Sequence, residues 1–156
     1  MAFFPCVRFE QQCLLQFRGE NAGWKDWTIR EKLAYDLKLH KELDQNYQLI
    51  TKLVILCLDK KIPLVIENPY NEQHYLKKYW CLKPKIVDMN RREKGDYYVK
   101  PTQYWFVNCE PKDNFIMEPL LLVENKRVIE ENTVERSMIH PQYANRFIRE
   151  FIIEGD

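Results

Sequence analysis

Two short motifs place a thiol and a carboxyl group beside prolines at the ends of apolar segments. Pro5-Cys6 ends the stretch that begins at Ala2, and Glu67-Asn68-Pro69 follows the β-branched run 63–66. An accessible cysteine with a lowered thiol pKa is a nucleophile. A carboxyl group at the end of a buried strand costs free energy unless it is paired or faces a ligand. The sequence therefore offers Cys6 as a candidate nucleophile and Glu67 as a candidate acid.

Both motifs also have a structural interpretation. A lone cysteine is usually a packing residue. Glu67 could cap backbone amides in a turn where Asn68, which precedes a proline, is held extended. Lys100-Pro101-Thr102 is open to the same choice, between contact with a substrate phosphate or base and a solvated loop. Spacing alone leaves these alternatives open.

A basic and aromatic stretch between residues 75 and 105 is the third feature that bears on function. Its cations are Lys77, Lys78, Lys83, Lys85, Arg91, Arg92, Lys94 and Lys100, opposed by Asp88, Glu93 and Asp96. Cations interleaved with aromatic rings suit a nucleic-acid surface, because they neutralise phosphates and stack on bases. On this interpretation Arg91 and Arg92 contact DNA. The alternative is a solvated rim whose aromatic residues belong to the core.

The composition is that of one globular domain and names no partner. The 156 residues are 46% apolar and 30% charged, with a net charge of +1 at pH 7, which excludes a disordered chain. No apolar run approaches the roughly 18–20 residues of a membrane span. Residues 1–10 lack the pattern of a signal peptide, so we expect a cytoplasmic protein without membrane contact. The cysteines form no C-x-x-C pair and no histidine lies near them at ligand spacing, so no metal site is predicted.

Periodicity predicts alternating strands and helices over a single domain, 1–156. A capping box at Thr28 and Glu31 opens a long helix over 28–60, whose apolar stripe begins at Leu33 and Leu37. The other predicted elements are a strand stub at 2–5, strands near 64–67, 85–89 and 103–108, and a tail helix over 141–153. This order predicts an α/β fold with the second half of a doubly wound sheet. Ligands of such sheets bind at the carboxyl ends of the strands, where both motifs fall.

Taken in order, three motifs resemble those of the phage-associated group of DNA cytosine methyltransferase-like proteins. They are Phe4-Pro5-Cys6, Ile66-Glu67-Asn68-Pro69 and Lys100-Pro101-Thr102-Gln103-Tyr104-Trp105, and the tail 135–144 is also similar. In that family a Pro-Cys follows the fourth strand and an Ile-Glu-Asn-Pro follows the fifth. A Lys-x-Thr-x-x-Trp motif lies in the last strands.

The resemblance implies the C-terminal half of a Rossmann-like, class I methyltransferase domain that uses S-adenosylmethionine. It implies that the thiolate of Cys6 attacks C6 of a flipped cytosine, which makes C5 nucleophilic. Glu67 would then contact N3 of the base and support the attack. Asn68 and Pro69 would shape the pocket. Lys100 and Thr102 would lie near the substrate.

Several parts of the family pattern have no counterpart in this sequence. They are the glycine-rich turn that binds the cofactor, the first three strands and the arginine-rich motif near the seventh strand; the four glycines form no G-x-G. We therefore expect a truncated chain that takes S-adenosylmethionine only if another chain supplies the missing half, and no cofactor-binding residue is named. Since a half sheet exposes an unpaired edge, a homodimer or a partner protein is expected to cover it.

Two functions remain open on the sequence. The first is a DNA methyltransferase-like protein that binds DNA or acts with a partner chain, and that methylates cytosine if it is active. The second is a non-catalytic, phage-type anti-defence inhibitor, for example of a CRISPR or restriction nuclease, that binds a protein partner. An enzyme that pairs Cys6 with His74 or His140 has no support from spacing.

Overall fold

Helices and strands alternate along the chain, so the fold is mixed α/β. The computed structural model describes residues 1–3, 8–10, 12–117 and 138–153, with the backbone alone at 2, 3 and 12. In chain order its elements are β1 (Ala2–Phe3), α1 (Gln12–Phe17), α2 (Ile29–Lys60), β2 (Leu64–Pro69), α3 (Tyr75–Tyr79), β3 (Ile86–Asp88), β4 (Thr102–Val107) and α4 (Pro141–Phe151), with 3-10 turns at Ala22–Trp24 and Arg91–Lys94. Phe4, Pro5 and Cys6, and residues 135–137 of the similar tail, lie outside the described residues.

The long helix α2 begins at the predicted capping box. The Glu31 backbone N–H donates to Oγ1 of Thr28 at 3.3 Å, and the Thr28 N–H donates to the Glu31 carboxylate at 2.7 Å. Its buried residues, Leu39, Leu43, Ile50, Val54 and Cys57, recur every three to seven positions and form one stripe. The predicted stripe began earlier, but Leu33 and Leu37 are 61% and 74% exposed. The first third of α2 therefore extends beyond the core.

The sheet has four strands in the order β1-β2-β4-β3. β1 is parallel to β2, with Ala2 opposite Ile66 and Phe3 opposite Glu67. β4 is antiparallel to β2 on one side and to β3 on the other. β1, β2 and β3 thus run one way and β4 the other. β2 is buried on both faces, as its continuous apolar run predicts, but the expected parallel neighbour lies on one side only.

Helices cover both faces of the sheet. On one face, Leu43, Ile50 and Val54 of α2 pack against Ile66 and Trp105. On the other face, Phe147 and Phe151 of α4 pack against Val65, Tyr104 and Phe106. The fold therefore has three layers, with the sheet between α2 and α4. None of the helices in the described ranges combines the length and the apolar character that a membrane crossing requires.

Candidate functional site

The carboxyl end of β2 is where the predicted site residues meet. Because β1 and β2 are parallel and Phe3 lies opposite Glu67, the chain leaves both strands at the same edge of the sheet. Glu67, Asn68 and Pro69 are the last three residues of β2. Cys6, three residues after the end of β1, lies outside the described residues. Its predicted role as the nucleophile beside Glu67 therefore remains a prediction.

Strand alternation sends Glu67 and Asn68 to opposite faces of the sheet. Glu67 lies on the face covered by α4, directly opposite Tyr104 of β4. Asn68 lies on the face covered by α2, opposite Gln103. Glu67 is 8% exposed and Asn68 is fully buried. Two separate polar clusters therefore form at the end of one strand.

The carboxyl group of Glu67 is buried next to one cation. Nη1 of Arg91 lies 3.8 Å from its Oε1 atom. Burial raises the pKa of Glu67, and the positive charges of Arg91 and Lys100 oppose that rise. Within the described part of the chain, no hydrogen-bond donor reaches this carboxylate. The group therefore holds a proton more readily than an exposed glutamate and keeps its oxygens for another partner.

Arg91 and Thr102 do not face a surface ligand, contrary to prediction. Arg91 is 1% exposed, and its guanidinium forms an ion pair with Asp96 and lies 4.8 Å from the centre of the Tyr143 ring. Thr102 is fully buried, and its hydroxyl donates to the carbonyl of Lys100 at 2.8 Å. A buried charge must be paired, and the Asp96 carboxylate five residues along the chain supplies the partner. The predicted contact of Arg91 with DNA is therefore wrong, whereas Arg92 is exposed.

Asn68 is also turned away from solvent and holds the turn together. Its Nδ2 donates to the carbonyl of Glu67 at 2.9 Å, and its Oδ1 lies 3.2 Å from Nε2 of His74. His74 is fully buried, and burial lowers its pKa to about 4. Nε2 of Gln103, on β4, donates to the carbonyl of Pro69 at 2.8 Å and so fixes the end of β2. The sequence analysis considered His74 only as a partner of Cys6 and missed its contact with Asn68, since an isolated histidine six residues along the chain carries no local signal of it.

A cleft of about 540 Å³ opens at the same edge of the sheet. Its lining includes Glu10, Arg18, Pro69, Tyr70, Lys100 and Pro101. Pro69 is two residues beyond Glu67 on β2 and thus on the same face of the strand. A volume of this size suits a small ligand or a single nucleotide. Of the predicted substrate-binding residues, Pro69 and Lys100 therefore line the cleft, whereas Asn68 and Thr102 are fully buried.

The basic stretch is less positive in the folded chain than in the sequence. Lys77 pairs with Glu72 at 2.7 Å, Lys85 pairs with Glu110, and Lys94 lies within 3.8 Å of both Asp88 and Glu150. Among the described residues, Arg92 forms no ion pair. Ion pairs therefore neutralise much of the predicted phosphate-binding charge.

Most aromatic residues of the same stretch belong to the core. Tyr98, Tyr104 and Trp105 are each 1% exposed, and Trp80 is 3% exposed. Tyr79, at 68% exposure, is the one large ring of this group that solvent reaches widely. The alternative interpretation, a rim whose aromatic residues pack inward, thus describes all of these rings except Tyr79.

The described residues contain no group of three or more His, Cys, Asp or Glu side chains arranged to hold a metal ion. No family model, curated protein or solved structure matches this chain.

Proposed function

We propose that the chain is a DNA methyltransferase-like protein that binds a cytosine at the carboxyl end of β2 and activates it. The observation that carries the proposal is the parallel register of β1 and β2, with Phe3 opposite Glu67. The strand before Pro5-Cys6 and the strand before Asn68-Pro69 are therefore neighbours that end at one edge. A nucleophile and an acid supplied by two adjacent strand ends can act on one base.

The strand directions also support the finer fold proposal, a partial Rossmann-like methyltransferase sheet. A doubly wound sheet is mainly parallel, and β1, β2 and β3 run in one direction. Here β4, the last strand described, lies between β2 and β3 and is antiparallel to both. Helices on both faces are what a doubly wound arrangement requires.

S-adenosylmethionine, which the resemblance implies, does not fit the residues described. The four glycines, Gly19, Gly23, Gly95 and Gly155, form no glycine-rich turn, and such a turn is how doubly wound domains bring the backbone against a nucleotide. No described cavity is lined by such a turn either. We therefore assign the cofactor to a second protein that supplies the missing half, and no step of the mechanism depends on it.

The chain's own chemistry is base activation. The Cys6 thiolate forms a bond to C6 of cytosine while the C5–C6 double bond gives its electron pair to C5. Glu67, whose pKa burial raises, donates a hydrogen bond or its proton to N3 and so stabilises the developing negative charge. C5 then takes a proton from water, and expulsion of the thiolate with loss of a C5 hydrogen restores the base.

Release of tritium from C5-tritiated cytosine in DNA tests this proposal without a cofactor. Exchange above background is expected for the wild-type chain, and loss of exchange is expected for Cys6→Ser and Glu67→Gln. Cys81→Ser changes an exposed cysteine elsewhere and should retain the exchange. Exchange that persists in Cys6→Ser, or no exchange when bound DNA is present, would refute the proposal. Methyl transfer from labelled S-adenosylmethionine, measured alongside, is expected only when a second protein supplies the cofactor site.

A specific observation also favours the second candidate, a non-catalytic anti-defence inhibitor that binds a protein. Ile29, Leu33 and Leu37 on α2 are spaced by four residues and are 61–74% exposed, which is unusual for a monomer's surface. In addition, β1 pairs with β2 alone among the described strands. On this alternative, Leu33→Glu with Leu37→Glu abolishes binding of a defence nuclease, and Cys6→Ser leaves it intact. Sedimentation of the isolated chain separates a homodimer from a monomer awaiting a partner.

A further inference from the structure

We propose that Arg91 is a positioning residue for Glu67. Its buried charge holds the carboxyl group of Glu67 at the carboxyl end of β2, and Asp96 and Thr102 hold Arg91 in place. Because Glu67 is the acid in the proposed function, this role rests on that function. It nevertheless predicts a property of Glu67 that is measured without DNA or methyl transfer.

The guanidinium of Arg91 is fixed by contacts other than Glu67. Nη2 forms an ion pair with Asp96, and Nη1 donates to Oγ1 of Thr102 at 3.4 Å. The Tyr143 ring of α4 lies 4.8 Å beneath the guanidinium carbon, a distance at which a cation is attracted to the ring face. Arg91 therefore keeps its place whether Glu67 is ionised or protonated.

The turn between β3 and β4 is built to bring Asp96 back to Arg91. The 3-10 turn Arg91–Lys94 ends at Gly95, whose φ of 95° reverses the chain. The Asp96 N–H donates to the Arg91 carbonyl at 3.2 Å. Its Oδ1 accepts from the N–H groups of Tyr97 at 2.8 Å and His140 at 3.0 Å. Asp96 thus ties this turn to the start of α4 and leaves its other oxygen for Arg91.

The link from Arg91 to Glu67 is one of charge. The 3.8 Å between Nη1 and Oε1 is too long for a hydrogen bond. In a buried setting, however, opposite charges at this distance interact more strongly than they do in water. Arg91 therefore attracts the ionised carboxylate without occupying its lone pairs. This leaves the oxygens of Glu67 available to a ligand while their location is restrained.

Several other groups face Glu67 and set the sign of each test. Lys100, before β4, also favours the ionised form, whereas Asp96 and Glu10 oppose it. Tyr104 lies opposite Glu67 on β4, and its hydroxyl forms a hydrogen bond with the hydroxyl of Tyr143, which donates one to Asp88. Removing the charge of Arg91 should therefore raise the pKa of Glu67, and removing the charge of Asp96 should lower it.

Carbon-13 NMR of the full chain, with labelled glutamate carboxyl groups, measures this titration directly; Glu67→Gln assigns the signal. Arg91→Met is expected to raise the measured pKa of Glu67, because the ionised carboxylate loses the opposite charge nearest to it. Arg91→Lys keeps a positive charge at this position, so the pKa of Glu67 should stay close to its wild-type value. Asp96→Asn should lower the pKa of Glu67. Lys94→Met, in the same turn but paired with Asp88 and Glu150, is the control and should leave Glu67 unchanged.

A purely structural role of Arg91 would not raise the pKa of Glu67 in Arg91→Met and lower it in Asp96→Asn. A folded Arg91→Met chain with an unchanged Glu67 titration would overturn the proposal. If circular dichroism shows that Arg91→Met does not fold, Asp96→Asn decides, and an unchanged titration of Glu67 in that variant refutes the proposal. C5 exchange measured on the same samples keeps the two proposals separate. A moved titration without exchange in wild type would refute the proposed function and leave the positioning role standing.

Discussion

Nε2 of His74 lies 3.2 Å from Oδ1 of Asn68, and both side chains are fully buried. Because the amide oxygen can only accept, Nε2 carries the hydrogen, and burial favours the neutral ring by lowering the pKa of His74 to about 4. Nδ1 has no hydrogen-bond partner within the described residues. The ring centres of Phe9 and Trp105 lie 6.0 and 6.2 Å from the centre of the His74 ring. A positive charge on His74 would thus enter an apolar site and loosen the turn that carries Asn68.

The chain should lose stability in mild acid through His74. Burial lowers the pKa of His74 from 6.5 to about 4, so the unfolded chain takes up the proton first as the pH falls. The stability that the neutral ring contributes is present above pH 6.5 and declines down to pH 4, by about 3 kcal/mol in all. Urea denaturation of wild type and His74→Gln across this range measures it, and the wild type should lose more.

Glu67 acts in the opposite direction, since its pKa is raised by burial. The free energy that Glu67 contributes to stability is present below the pH range in which glutamates ordinarily titrate and is lost as the pH rises. Because His74→Gln retains Glu67, comparing it with wild type cancels this contribution. His40→Gln, which changes an exposed histidine, is the matched control. Equal acid sensitivity in wild type and His74→Gln would contradict the prediction.

Thr28→Ala should destabilise the chain by about 1 kcal/mol, the usual cost of losing an N-cap side chain. The Glu31 N–H would lose its acceptor, and the Glu31 carboxylate would lose one of its two bonds to Thr28. Thr28→Ser keeps the hydroxyl and should stay within a few tenths of a kcal/mol of wild type. Denaturation midpoints at neutral pH compare the three chains. Equal losses for the alanine and serine variants would mean that the cap does not stabilise α2.

Gly95→Ala should destabilise the chain by about 1–2 kcal/mol, because a side chain at positive φ is strained. Gly95 has φ of 95°, and an added Cβ would also lie 3.0 Å from Cγ and Cδ of Gln142. Gln142→Ala in the same chain should relieve the contact and leave the backbone strain. Gly23→Ala, where the nearest atom is 3.4 Å away, is the control. A neutral Gly95→Ala, measured by urea denaturation, would show that the turn tolerates another conformation.

Arg92→Ala should weaken DNA binding in a salt-dependent way if the basic stretch contacts phosphate. Losing one phosphate contact reduces the slope of log K against log salt by about one. Arg30→Ala removes an exposed arginine on α2, away from this stretch, and should have no such effect. Fluorescence anisotropy over a salt series measures both variants. Identical slopes for Arg92→Ala, Arg30→Ala and wild type would place the DNA contact elsewhere.

Local signals in the sequence were sufficient to predict the elements that carry the site. The capping box at Thr28 and Glu31 marks the start of α2 because its hydrogen bonds join residues only three apart. The continuous apolar run that ends in Glu67 predicts a strand buried on both faces, and β2 is one. Pro141 opens α4 as predicted, since its fixed φ suits a first helical turn. Each of these depends on interactions within a few residues.

Only the tertiary structure decided the order of the strands and the surroundings of the charges. β4 lies between β2 and β3 because it pairs with β2 across more than thirty positions, as at Ile66 and Trp105, and with β3 across more than ten. Such contacts leave no local pattern. Likewise, the sequence shows Arg91 as one cation in a basic stretch, but whether an arginine faces DNA or a buried carboxylate depends on what folds against it. The burial of Arg91 with Asp96 and Glu67 follows from the turn at Gly95 and the packing of α4, and neither is local.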